Sequence, residues 1–72
     1  MTGILIKLDG RPDIIFENGT LYGGLHCGEC FFVLEPDAGW VSVRLELIDD
    51  WVLVDGAGGK RAPLPYGNRV LL

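Results

Sequence analysis

Seventy-two residues suffice for one small domain, so residues 1–72 are read as a single unit. With 49% hydrophobic and 22% charged residues the chain is not of a disordered composition, and no apolar run approaches the roughly 20 residues of a membrane-spanning helix. The net charge of −4 argues against binding a phosphate backbone, whose affinity comes from Lys and Arg. In residues 4–8, Ile4, Ile6 and Leu8 alternate with Leu5 and Lys7, which predicts a first strand. Asp9-Gly10-Arg11-Pro12 is a turn signal. A second strand at residues 14–17 ends at Asn18-Gly19, a pair suited to a type I′ hairpin because both positions take positive φ. Thr20-Leu21-Tyr22 continues extended, and a glycine- and cysteine-rich connection follows. Residues 31–35 form a third strand, and Pro36-Asp37-Ala38-Gly39 turns the chain, with Gly39 at positive φ.

Residues 40–47 carry the clearest pattern. Val41, Val43, Leu45 and Leu47 fall on one face and Trp40, Ser42, Arg44 and Glu46 on the other, as in an antiparallel sheet with one wet side. Residues 51–54 return along it. If Ile48, Asp49 and Asp50 all form the loop, Leu47 faces Trp51 and Leu45 faces Leu53, and Trp51 joins the core. If only Asp49 and Asp50 do, Val52 and Val54 go inside. The first register is favoured. Residues 55–68 read as a Gly/Pro-rich loop in which Gly59 has room to adapt, and residues 69–72 as a short closing strand. Trp40 and Arg44 share a face and are candidates for a cation–π pair. Five or six short antiparallel strands joined by tight turns predict an all-β fold, a small barrel. The second half resembles SH3-like barrels, in that a Gly-Trp enters a long strand and a Pro-containing turn precedes the last short one.

The chemistry of the chain concentrates in Tyr22-Gly23-Gly24-Leu25-His26-Cys27-Gly28-Glu29-Cys30, which holds the single histidine and both cysteines. His26, Cys27 and Cys30 are the candidate metal ligands, at a spacing that covers one side of a tetrahedral zinc. One chain offers three such ligands where a structural site takes four, so neither metal nor cofactor is expected. A redox dithiol would need a helix N-terminus to lower the first thiol's pKa, and no helical pattern exists. A Cys–His nucleophile pair is ordinarily built from residues distant in sequence, so a non-enzymatic protein is expected. The simplest role for Tyr22, Gly23, Gly24, His26, Cys27 and Gly28 is structural. Glycines supply unusual φ, Leu25 and Cys27 plug the barrel end, and His26 caps a carbonyl or faces solvent.

The Tyr22–Gly28 string, followed by Gly39-Trp40-Val41 and Asp50-Trp51, resembles a small uncharacterised family of Gram-positive bacteria and their mobile elements. The resemblance implies lineage rather than an activity.

All ten acids lie between Asp9 and Asp55, accompanied there by two bases, Arg11 and Arg44. Such a body suits a basic protein partner. The expected function is a non-catalytic binding module, and the mobile-element context that the resemblance implies suggests an inhibitor or accessory factor. Glu35, Asp37, Trp40, Asp49 and Asp50 are the candidate contacts. A nucleic-acid-associated barrel using Lys60, Arg61, Tyr66 and Trp40 is the alternative, and a zinc-stabilised domain the third reading. The start of the chain lacks the basic segment of a secretory signal, so a cytoplasmic protein with reduced thiols is expected. Duplex DNA should not be retained at physiological salt. Submicromolar affinity in a fluorescence anisotropy titration would contradict this reading of the charge.

Overall fold

The computed structural model describes all residues, 1–72. There is no helix. Seven strands form one antiparallel sheet: β1 (Thr2–Leu8), β2 (Arg11–Phe16), β3 (Cys30–Glu35), β4 (Gly39–Ile48), β5 (Asp50–Asp55), β6 (Arg61–Pro63) and β7 (Arg69–Leu71). Their spatial order is β2-β1-β7-β3-β4-β5-β6. The all-β class is as expected, but the sheet has seven strands rather than five or six, and it is not closed: β2 and β6 are its two ends.

The turns follow local chemistry, with two exchanges against expectation. The type I′ turn sits at Asp9-Gly10, where φ is +51° and +78°. It pairs Leu8 with Arg11, so Arg11 and Pro12 belong to β2 and not to the turn. At Asn18-Gly19 only the glycine has positive φ. There Gly19 N–H donates to Phe16 C=O and Phe16 N–H to Thr20 C=O, giving a three-residue loop. Asn18 Oδ1 fixes it by accepting from the Thr20 amide and hydroxyl. The β4–β5 hairpin takes the favoured register, Leu47 opposite Trp51 and Leu45 opposite Leu53. Asp49 alone turns it, at φ +62°. Strand β6 lies inside the expected loop. Proline is tolerated in it because the strand is at an edge and its outward N–H is dispensable.

Alternation then builds one core. Leu5, Ile14, Phe31, Val33, Val43, Leu45, Leu53 and Val70 come from six strands and share the inner face, joined by Leu25 from the long connection. Burying each such side chain stabilises the fold by about 1.5–3 kcal/mol. In β1 the inner set is Gly3 and Leu5, while Ile4 and Ile6 are half-buried on the other face. Trp51 packs against the core, as the register requires. Leu47 runs past it and is exposed.

Two contacts draw the open sheet together. The Arg11 guanidinium lies 5.7 Å from the Trp51 ring centroid, linking β2 to β5. This is the cation–π pair of the molecule; Arg44 instead pairs with Glu46 at 3.3 Å. At the centre, β7 joins β1 on one side and β3 on the other. Met1 and Leu72 extend the β1–β7 ladder with reciprocal bonds of 2.9 Å.

Two glycines report on this packing. A Cβ at Gly3 would lie 2.6 Å from both Ile14 Cγ2 and the Ile15 carbonyl oxygen, whereas one at Gly58 would meet nothing. Gly3→Ala should therefore lose about 1–3 kcal/mol, and Gly58→Ala should melt like the wild type. Gly59, expected to be adaptable, has φ +69°, against +71° for Gly39. Valine at either position should lower the melting temperature to a similar extent, and thermal denaturation of the four variants checks both statements.

Candidate functional site

The connection between β2 and β3 must pass two intervening strands, β1 and β7. It starts by running along the outer edge of β2, where Tyr22 N–H donates to Ile14 C=O and Leu25 N–H to Pro12 C=O. It ends on β4, where Gly28 N–H donates to Leu45 C=O and Leu45 N–H to Glu29 C=O. Between these anchors Leu25 enters the core and is fully buried. Gly23 and Gly24 have φ +110° and +99°, conformations that side chains with a Cβ rarely adopt.

Asp13 holds this path. It is only 4% exposed. Its Oδ1 accepts from Ile14 N–H at 2.8 Å, Gly23 N–H at 3.1 Å and Gly24 N–H at 2.9 Å. A buried carboxylate is tolerated when it is hydrogen-bonded in this way. Asp13 is thus removed from the acidic exterior to which its residue type would assign it. Arg11 adds a second tie, donating to the Leu25 carbonyl at 3.2 Å.

The surface of the connection carries a second carboxylate-centred cluster. Glu29 Oε2 accepts from the Tyr22 hydroxyl at 2.8 Å. Glu29 Oε1 accepts from the His26 amide at 2.8 Å and faces His26 Nδ1 at 3.0 Å. A carboxylate only accepts, so Nδ1 carries a proton, and a neutral His26 then presents Nε2 as an acceptor to solvent. Partial burial pushes the Glu29 carboxyl up. The bonds from Tyr22 and His26 outweigh it and hold the group below the ordinary glutamate value. The same bond to Glu29 raises the Tyr22 hydroxyl above its usual range. The Tyr22 ring also packs edge-on against Phe16, with centroids 6.4 Å apart.

The sequence candidates for metal binding do not converge. His26 is engaged by Glu29, Cys27 Sγ points to Glu46 Oε1 at 3.2 Å, and Cys30 Sγ lies 3.9 Å from the Gly28 carbonyl. No group of three or more His, Cys, Asp or Glu side chains could hold a metal ion. Both cysteines are free and exposed, so Leu25 fills the plug role expected of it while Cys27 does not. Sequence reasoning missed Asp13 and underrated Glu29. The available signals were an acid embedded between Pro12 and Ile14 in an apolar run, and an acid seven residues after Tyr22.

The five expected contact residues fall into two groups. Glu35, Asp37 and Trp40 lie at the β3–β4 hairpin, and Asp49 and Asp50 at the β4–β5 hairpin. These hairpins cap opposite ends of the ten-residue β4, roughly 30 Å apart at the usual strand rise. Trp40 does lie on the outer face and is 41% exposed. It is not alone there. Trp40 pairs with Leu34, Phe32 with Leu71, and Phe32 and Trp40 are diagonal neighbours on adjacent strands. Phe32 is 42% exposed. Tyr66, near Asp50, has its hydroxyl raised by partial burial and then by that acid. No helix is long and apolar enough to cross a membrane.

DUF5348, described as a domain of unknown function, matches residues 4–70. The chain is also similar to a protein from Ruminococcus gnavus, whose crystal structure was a target of the Northeast Structural Genomics Consortium. The two are 44% identical, each is covered over 100% of its length, and the TM-score is 0.81. No curated protein matches the chain.

Asp13→Ala leaves the Gly23 and Gly24 amides without their acceptor and should lose about 2–3 kcal/mol, with a smaller loss for Asp13→Asn, which keeps an acceptor oxygen. Chemical denaturation gives both values. Glu29 has a lowered folded pKa, so its contribution is complete above the unfolded value of about 4.3 and is lost as pH falls through the folded one. Acidification below that point should therefore destabilise the wild type more steeply than Glu29→Gln. Parallel slopes in thermal melts across that range would refute the assignment.

Proposed function

The chain belongs to the DUF5348 family, whose description assigns no activity, and from that premise we propose that it is a non-catalytic protein-binding module. The carrying observation is the outer face of the sheet. Phe32 and Trp40 stand exposed beside Leu34 and Leu71, on rigid strands rather than on a loop. Contiguous exposed apolar surface with aromatic anchors is the usual composition of an interface centre. Asp37, in the turn at the Trp40 end of this patch, supplies an acidic rim, and Glu35 adds charge at the same end from the inner face. The rim suits a basic partner and would speed its approach.

The Tyr22–Glu29–His26 cluster supports a structural rather than a catalytic role. His26 is held in one orientation, but the nearest nucleophile in sequence, Cys27, is turned toward Glu46. In its most concrete form, the module is an SH3-like relative carried on mobile elements of Gram-positive bacteria. It acts in the cytoplasm as an inhibitor or accessory factor. There it would occupy the basic nucleic-acid channel of a host protein such as a defence nuclease.

Affinity capture from the native host, followed by binding measurements with the captured protein, tests this reading. Trp40→Ala and Phe32→Ala should each weaken the complex by roughly 2 kcal/mol, the scale of an interface hot spot. Glu35→Lys with Asp37→Lys should slow association at low salt, and the effect should fade as salt rises. Asp49→Lys with Asp50→Lys, at the far end of β4, should change little. A complex indifferent to both aromatic substitutions would refute the outer-face site.

A further inference from the structure

The two ends of the sheet are treated differently. The edge of β2 is occupied by the connection through Thr20, Tyr22 and Leu25. The edge of β6 has no neighbour. Asp55 N–H donates to Lys60 C=O at 2.8 Å. Antiparallel alternation then makes Leu53 and Ala62 the next hydrogen-bonded pair. The N–H and C=O of Arg61 and the C=O of Pro63 consequently face outward, with no backbone partner.

A cleft lies on each side of this edge. On the inner side a cavity of about 250 Å³ is lined by Val41, Val43, Leu53, Pro63 and Pro65, with Lys60 among its charged residues. On the other side a shallow depression of about 320 Å³ is lined by Asp50, Val52, Arg61 and Pro63, with Trp51 completing it. Both share the three residues of β6. A strand laid beside β6 would send successive side chains alternately into the two clefts.

We infer that the β6 edge is a strand-addition site for an extended segment of a partner protein, with an aliphatic side chain in the inner cleft. Main-chain bonds to Arg61 and Pro63 set the register, and the inner cleft selects the side chain. A second copy of this chain fits poorly. Paired at its own β6, it would offer the Ala62 methyl to a cleft of about 250 Å³. Three residues per copy also fall far short of the roughly 1,000 Å² that a stable interface buries. Strand β5 separates the site from Phe32 and Trp40 of the outer-face patch, and Glu35 lines its inner cleft.

The test is selection from a library of acetylated, amidated hexapeptides that alternate aliphatic residues with threonine, followed by amide chemical-shift titration of the intact protein. Selected peptides should protect the Arg61 amide from exchange and shift Val41, Val43 and Leu53. N-methylation of the peptide at the residue facing Arg61 should weaken binding about tenfold or more, without any change to the protein. Arg61→Pro should do the same while melting like the wild type, and Trp40→Ala should leave this binding intact. The inference is overturned by any of four results: no library member binds at millimolar concentration, the shifts fall on Phe32 and Trp40 instead, the N-methylated peptide binds equally well, or the Arg61 amide is already protected by self-association.

Discussion

One oxygen atom sets the path of the chain. Asp13 Oδ1 gathers three backbone amides, one from its own strand and two from Gly23 and Gly24. Without it, the connection from β2 would be held before its anchors on β4 only by the Tyr22 and Leu25 amides on β2 and by Arg11, and the turn that leads Leu25 into the core would lose its acceptor. A core drawn from nine residues has little redundancy. The seat of Leu25 is therefore set by polar bonding at the edge of β2 as much as by apolar contact. The arrangement also accounts for two adjacent glycines at positive φ, since the amides of 23 and 24 must turn together toward one carboxylate.

Much of the architecture was legible because strands with one wet face write their period into the sequence. The alternation in residues 40–47 placed Val43 and Leu45 inside and Trp40 outside, and the register of Trp51 followed from the loop length. The misreadings have identifiable physical causes. Asp9-Gly10 and Asn18-Gly19 look alike as dipeptides, and the length of chain between paired residues decides which becomes type I′. Strand β6 carries no periodic signal at three residues and contains a proline, so only its tertiary place beside β5 reveals it. Closure into a barrel was inferred from strand count, tight turns and the SH3-like order of the second half, none of which says whether the last strand reaches the first.

The site was less legible than the fold. Tyr22, His26 and Glu29 are brought together by a tight local path, so their proximity was implicit in a nine-residue string. Which of the four polar side chains would engage Glu29 was not, because side-chain direction in an irregular segment has no period. Charge was the weakest guide. Ten acids were counted as one exterior, yet one is buried under glycine amides and four others divide between the two ends of a long strand. The aromatic pair of Phe32 and Trp40 emerges only once β3 and β4 are set in register.

The central position of β7 has a kinetic consequence. The hairpin β1–β2 and the meander β3–β6 touch within the sheet only through this strand, which is the last in sequence. Its pairing with β1 joins Thr2 to Leu71 and Gly3 to Val70, among the longest loop closures available to the chain. Contacts of such high sequence separation slow folding, because chain entropy is lost before they form. Until Val70 arrives, each half of the sheet exposes an unpaired inner edge, β1 on one and β3 on the other. Folding is thus expected to be cooperative and late. The vulnerable species is a pair of unsealed half-sheets, which can pair with neighbouring chains as readily as with each other.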